Sequence, residues 1–204
     1  MEPSKQFKFQ YKKDIIPSAY KNRPGIANPH LYITIHDTGN DGTGAGALNH
    51  AKYIKNIGKA GTMKSWHYTV DDTYAVQHLP VDETAFHAGD GTGDGNRKSI
   101  GIEICRNRDG NLLRATDNAA ALTGWLCYAY KIPVENIVQH YRWTKKDCPA
   151  LLRSGRPYTW LAFLQRVQQF IEDERRLKTA WNKDIKILSG TVPKGIHATR
   201  PAIE

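Results

Sequence analysis

Two histidines and a cysteine fall where folded segments end. His36 closes the run Leu31 to His36, in which Leu31, Ile33 and Ile35 share one face and Tyr32, Thr34 and His36 the other. His140 closes the short run Ile137-Val138-Gln139-His140, and Cys148 follows in Thr144-Lys145-Lys146-Asp147-Cys148-Pro149. Two imidazole nitrogens and a thiolate suit zinc, which holds such ligands at ~2.0–2.3 Å; three protein ligands leave a fourth position for water, the catalytic arrangement. Glu103 stands on a second alternating run, Ser99 to Cys105, on the face it shares with Gly101. With no side chain at Gly101, there is open space in which the carboxylate could reach a bound water. Spacing alone also allows His36 and His140 to be ordinary polar residues, because the chain has eight histidines.

The elements around these residues predict a mixed sheet covered by helices, an α/β fold. Strands are expected at Leu31–His36, Trp66–Val70, Tyr74–Leu79, Ser99–Cys105 and 137–140. The Asp71-Asp72-Thr73 turn joins the second and third as a hairpin. Helices are expected from Ala45 to Ile57, with Gly58 as its stop, from a Thr116 cap to Tyr130, and from Thr159 to Leu177. Ala119, Leu122, Leu126 and Tyr130 mark the buried side of the second of these. Trp160 and Phe163 open the apolar stripe of the third, as core residues. Residues 1–30 read as an irregular basic lead-in broken by Pro17 and Pro24. The Gly89–Asn96 loop matches neither a dinucleotide fingerprint nor a calcium loop and reads as a flexible surface loop. Residues 178–204 read as a tail or linker after a catalytic domain of residues 1–177.

Composition narrows the class. The chain has 204 residues, 40% of them hydrophobic and 24% charged, which excludes a wholly disordered or fibrous chain. No apolar run approaches the ~18 residues of a membrane span, and the first thirty residues lack the apolar stretch of a secretory signal. Lysine and arginine number 29 against 20 acids, a net charge of +9, which points to a polyanionic neighbour. Three widely spaced cysteines are no disulfide framework, and Cys105 and Cys127 read as core thiols. His30, His50, His78 and His197 read as surface or packing residues. HExxH, paired CxxC, GxSxG and Walker patterns are all missing.

Five ordered motifs carry a resemblance. Tyr32-Ile33-Thr34-Ile35-His36-Asp37-Thr38 resembles the opening strand of the zinc-dependent N-acetylmuramoyl-L-alanine amidases, the amidase-2 family. Ser65-Trp66-His67-Tyr68-Thr69-Val70-Asp71-Asp72 is similar to that family's hairpin, and Ala85-Phe86-His87-Ala88-Gly89 to its Trp-His-Ala-Gly element. Ser99-Ile100-Gly101-Ile102-Glu103-Ile104 is similar to its Ser-Ile-Gly-Ile-Glu strand, and His140 through Cys148-Pro149 to its closing segment. The likeness covers about residues 30–175 and implies the fold shared by peptidoglycan recognition proteins and the T7-type lysozyme. It further implies one zinc ion per chain on His36, His140 and Cys148, catalysis by Glu103 with Lys146 facing the oxyanion, and a substrate contact from His87; Trp66 is expected to contact substrate on the cleft wall, and His67 either reaches the substrate and the zinc-bound water or packs in the hairpin. Trp66 stands where some members carry a tyrosine, and Phe86 where tryptophan is usual, so the cleft wall is expected to suit a different stem peptide.

The implied activity is hydrolysis of the amide between N-acetylmuramic acid and L-alanine in bacterial peptidoglycan, by a phage or prophage endolysin held in the host cytoplasm before release. No nucleic-acid partner and no membrane insertion are expected. The rival readings are a cytoplasmic amidase that recycles soluble muropeptides, a module that binds peptidoglycan without cutting it, and a basic nucleic-acid-binding domain. The presence of both Cys148 and Glu103 argues for catalysis. No helix-turn-helix or zinc-finger pattern accompanies the basic charge.

Overall fold

The structure, a computed structural model, describes residues 7–190. Six strands form one sheet: β1 (Gln10–Lys13), β2 (Tyr32–Asp37), β3 (Tyr68–Val70), β4 (Tyr74–Gln77), β5 (Ser99–Ile104) and β6 (Ile137–Gln139). Their order across the sheet is β1-β4-β3-β5-β2-β6. The β3–β4 hairpin is antiparallel and every other pairing is parallel. The helices are α1 (Ala47–Lys59), α2 (Asp94–Arg97), α3 (Leu112–Tyr130), α4 (Tyr141–Thr144), α5 (Ala150–Arg153) and α6 (Trp160–Gly190).

Alternation along the strands separates two environments. Ile33, Ile35, Ile100, Ile102 and Ile104 pack with Ala119, Leu122 and Leu126 of α3 and with Phe163 and Val167 of α6 in the main core. On the opposite face, Val76 and Cys105 pack with Ala47 and Ala51 of α1, and Ile54 packs with Trp66, Leu79 and Ala85. The polar members of β2 and β5, Thr34, His36, Ser99 and Glu103, belong to that second face and are buried there. A buried polar row needs partners or a function.

Several expectations change. β1 replaces part of the irregular lead-in. It is a polar edge strand that docks on β4, with the Tyr11 hydroxyl donating to Gln77 Oε1 and Lys12 Nζ 4.7 Å from the Tyr74 ring centre. An edge strand of this kind lacks the alternating apolar signal. α3 begins before Thr116. Asn111 Oδ1 accepts from Arg114 N at 2.9 Å as the cap, and the Thr116 hydroxyl donates to Leu112 O within the helix. α1 runs through Gly58. A Cβ there would lie 2.0 Å from Asn22 Oδ1, so the glycine makes room for the Asn22 side chain, which donates to Ile54 O at 2.8 Å.

The chain divides into two compact units, residues 1–171 and 172–204. The first holds the sheet. In the second, α6 continues to Gly190, so residues 178–190 of the expected tail are helical, whereas the rest of that tail, His197 included, lies outside the described residues.

Candidate active site

Three adjacent parallel strands, β5, β2 and β6, end together. His36 lies opposite Glu103 in the β2–β5 register, and His140 follows β6, its N–H donating to Ile35 O at 3.2 Å. Crevices beyond the carboxyl ends of parallel strands are where such sheets expose chemistry. Cys148 returns to the same place through α4. Its carbonyl accepts from Tyr141 N at 3.0 Å, and Asp37 Oδ2 accepts from Leu151 N at 3.1 Å, tying the segment after Cys148 to the end of β2.

His36, His140 and Cys148 are buried, with their ligand atoms all within 4.8 Å of one another. His36 Nδ1 is 3.1 Å from His140 Nδ1 and 3.7 Å from Cys148 Sγ. A cation held tetrahedrally at about 2.0–2.3 Å needs ligand atoms about 3.3–3.6 Å apart, close to the two distances from His36 and inside the 4.8 Å limit of the set. The far ring nitrogens fix the tautomers. His140 Nε2 faces Ala88 O at 2.8 Å and Thr144 Oγ1 at 3.2 Å; a carbonyl only accepts, so Nε2 carries the proton and Nδ1 presents a lone pair. His36 Nε2 lies 2.9 Å from His87 Nδ1 and donates to it when His36 Nδ1 is likewise bare. Two lone pairs facing each other beside a sulfur require a shared cation or proton, so the donor set fits a metal ion. Burial, with the charges around them, holds His36 well below and His140 below the ordinary imidazole range, and burial with the Glu103 charge pushes the Cys148 thiol up to about 12.

The loop expected to be flexible positions these outer partners. Asp90 accepts from Gly95 N at 2.7 Å and Asn96 N at 3.1 Å, and Asn96 Oδ1 accepts from both His87 N and Ala88 N at 2.8 Å. One amide side chain thereby orients the imidazole that meets His36 and the carbonyl that meets His140. From His87, contacts continue through Ser99 Oγ at 3.4 Å to Gly95 O and Thr34 Oγ1, the latter also receiving the Trp143 indole N–H at 3.0 Å. The space in front of Gly101 is therefore filled: a Cβ there would lie 2.8 Å from the His87 ring.

Glu103 is buried, and its Oε2 has no hydrogen-bond partner. Burial pushes its pKa up to about 8, against the nearby ammonium of Lys64 and, less strongly, that of Lys146. It lines a cleft of about 320 Å³ together with Thr38, His50, Lys64 and Trp66. Lys146 is exposed on the segment before Cys148, and its charge acts on His36, Glu103, His140 and Cys148.

Neither His67 nor His87 lines this cleft. His67 is fully buried, accepting from Gly101 N at 2.9 Å through Nδ1 and facing Glu83 O at 2.8 Å through Nε2, so it braces β5 and has no nitrogen left for a ligand. His87 sits behind His36 instead of at the cleft edge. Trp66 does line the cleft, with its indole N–H donating to Thr69 Oγ1 at 2.7 Å. Cys105 and Cys127 are buried free thiols. His50 was missed as a cleft residue. The available signal was a histidine on α1 among the buried Ala47, Ala51 and Ile54.

The geometry sets a candidate three-ligand cation site beside a buried carboxylate with one unpaired oxygen at the end of a mixed sheet. The model of the Amidase_2 family, N-acetylmuramoyl-L-alanine amidase, matches residues 27–151, and the chain belongs to this family. It is 49% identical over 157 residues to the N-acetylmuramoyl-L-alanine amidase CwlH of Bacillus subtilis (strain 168), covering 76% of this chain and 60% of that one. It is 49% identical over 151 residues to the amidase XlyA of the same organism, covering 74% of this chain and 48% of that one. It therefore spans about half to three fifths of the length of these relatives. The solved catalytic domain of XlyA superposes with a TM-score of 0.72 at 47% identity, covering 78% of this chain and 99% of that one. A mutant endolysin from Bacillus subtilis superposes at 0.73 with 44% identity, covering 78% and 99%.

Proposed function

We propose that this chain hydrolyses the amide between the lactyl group of N-acetylmuramic acid and L-alanine of the peptidoglycan stem, with zinc on His36, His140 and Cys148, in the role of a phage or prophage endolysin. The observation that carries the reading is the Glu103 carboxylate, buried with a free oxygen and paired in register with His36. Bound zinc would act as a Lewis acid and lower the pKa of a water. Glu103 takes a proton from the attacking water and passes it to the departing L-alanine nitrogen. The ammonium groups of Lys64 and Lys146 favour the ionised form of Glu103 that this first transfer needs, opposing the effect of burial, and a cation held by His36, His140 and Cys148 would add to them. Lys146 faces the negative charge that develops on the carbonyl oxygen. His87 and the Ala88 carbonyl hold the two imidazoles with their Nδ1 atoms inward. Trp66 offers the substrate an apolar wall. No helix among the described residues is long and apolar enough to cross a membrane, and the net charge of +9 suits an anionic cell wall.

The test is Glu103→Gln, which keeps size and removes the base. It is expected to bind zinc as the parent does and to lose at least about 10²-fold in kcat on purified peptidoglycan. Retention of more than a tenth of the parent activity would remove Glu103 from the role.

A further inference from the structure

The cleft that runs from Glu103 along α1 gathers unsatisfied polar atoms. Among the described residues six buried side-chain nitrogens and oxygens have no hydrogen-bond partner, and four of them, Thr38 Oγ1, both His50 ring nitrogens and Glu103 Oε2, belong to residues that line this cleft. Buried polar groups are rarely left unpaired without a reason. Glu103 has a role in the reaction, but Thr38 and His50 have none. His50 is only 8% exposed, and burial lowers its pKa, so it is neutral and offers one donor and one acceptor. The Ala45 carbonyl lies near enough to favour the protonated ring without forming a well-aligned hydrogen bond, which leaves a ring nitrogen for a ligand.

The charge along the cleft is one-sided. Among the described residues Glu103 is its only lining carboxylate, at the reacting end. Lys64 is exposed on the cleft wall, its Nζ 5.5 Å from the Trp66 ring centre, and it forms no ion pair among the described residues. The Trp66 and His50 rings stand 6.3 Å apart, so ammonium, indole and imidazole form one continuous wall. A ligand that passes from the scissile amide along this wall meets donors suited to an anion. The proposed substrate has two arms. Its sugar arm carries hydroxyl and acetamido groups and no carboxylate, because the lactyl carboxyl is already in the amide. Its peptide arm continues from L-alanine to a glutamate joined through its side-chain carboxyl, whose α-carboxyl is free in some walls and amidated in others.

We infer that the α1 wall is the stem-peptide subsite, in which Lys64 pairs with the free α-carboxylate of the glutamate that follows L-alanine and His50 hydrogen-bonds a peptide amide. The enzyme therefore prefers stems with a free carboxylate at that position to stems amidated there. The inference rests on the proposed amidase activity and adds a specificity to it.

The experiment compares two disaccharide tetrapeptides that differ only in the free or amidated α-carboxyl of the glutamate. The parent protein is expected to favour the free acid by about tenfold in kcat/KM, mostly through KM, the size of effect typical of a charge-assisted contact. Lys64→Gln, at an exposed position that tolerates the change, brings the ratio to about one, and His50→Ala raises KM for both substrates. A parent ratio near one, or a ratio that survives Lys64→Gln, would overturn the subsite while leaving the amidase reading intact. Failure to cleave either substrate would overturn the amidase reading and the subsite with it.

Discussion

Replacing Gly101 with alanine places a methyl carbon 2.8 Å from Cγ and Cδ2 of His87 and 2.9 Å from its Nε2. The ring has little room to retreat, since its Nδ1 meets His36 Nε2 at 2.9 Å and its backbone N–H is held by Asn96 at 2.8 Å. Forcing a methyl group into such packing costs about 1–3 kcal/mol. Displacing His87 also frees His36 to rotate, and loss of an outer partner of a metal-ligating histidine typically lowers metal affinity by about 10–100-fold. Gly101→Ala is therefore expected to lower both the urea midpoint of the metal-free protein and the zinc affinity measured by competition with a chromophoric chelator. If His87 transmits the effect, the alanine adds less than about 0.5 kcal/mol in a His87→Ala background, where the clash is gone. Unchanged zinc affinity in Gly101→Ala, or equal costs in both backgrounds, would refute the link from Gly101 through His87 to His36.

Glu103 should weaken the metal-free protein as pH rises. Its pKa moves from the ordinary 4.5 in the unfolded chain to about 8 in the fold, so between those values the native state holds a proton that the unfolded state has released, and stability falls across that window. The full displacement corresponds to at most about 5 kcal/mol, and hydration of the cleft should leave about 2 kcal/mol; Glu103→Gln removes that fall, and parallel denaturation profiles for the two proteins from pH 5 to 8 would contradict it. Asn96→Ala leaves the His87 and Ala88 N–H groups without their acceptor and is expected to cost about 2–4 kcal/mol in denaturant melts, together with weaker zinc binding in the chelator assay. The three buried thiols should resist alkylation in the zinc-loaded protein, and stripping the metal should make Cys148 react before Cys105 and Cys127, because it lies on the segment between two short helices. Peptide mapping of the labelled protein reads the order directly.

The parts of this molecule legible in its sequence are those governed by local alternation. His36 and Glu103 could be placed on the polar faces of two strands because the isoleucines beside them leave no other choice of core face, and the hairpin followed from its turn. β1 was not legible, because an edge strand of lysines and glutamine is held by backbone pairing to a partner more than sixty residues away. Gly101 and Gly58 were recognisable as special, but the reasons lay in side chains distant along the chain, the His87 ring and the Asn22 amide. His67 and His87 carried the same ambiguity as any histidine. What separates a brace from a ligand-orienting residue is the atom each nitrogen meets, and those partners come from other segments. The cleft role of His50 was hidden for the opposite reason. A histidine on a buried helix stripe reads as packing until its nitrogens are found without partners.

The central claim is amide hydrolysis by a carboxylate beside a cation site, and mass spectrometry of purified peptidoglycan digested by the full chain tests it most directly. Digestion with zinc should release stem peptides that begin with a free L-alanine amine and leave glycan strands with intact lactyl groups. A chelator should abolish the release, and added zinc should restore it. Intact wall from zinc-loaded protein, or products cut elsewhere in the polymer, would contradict the account.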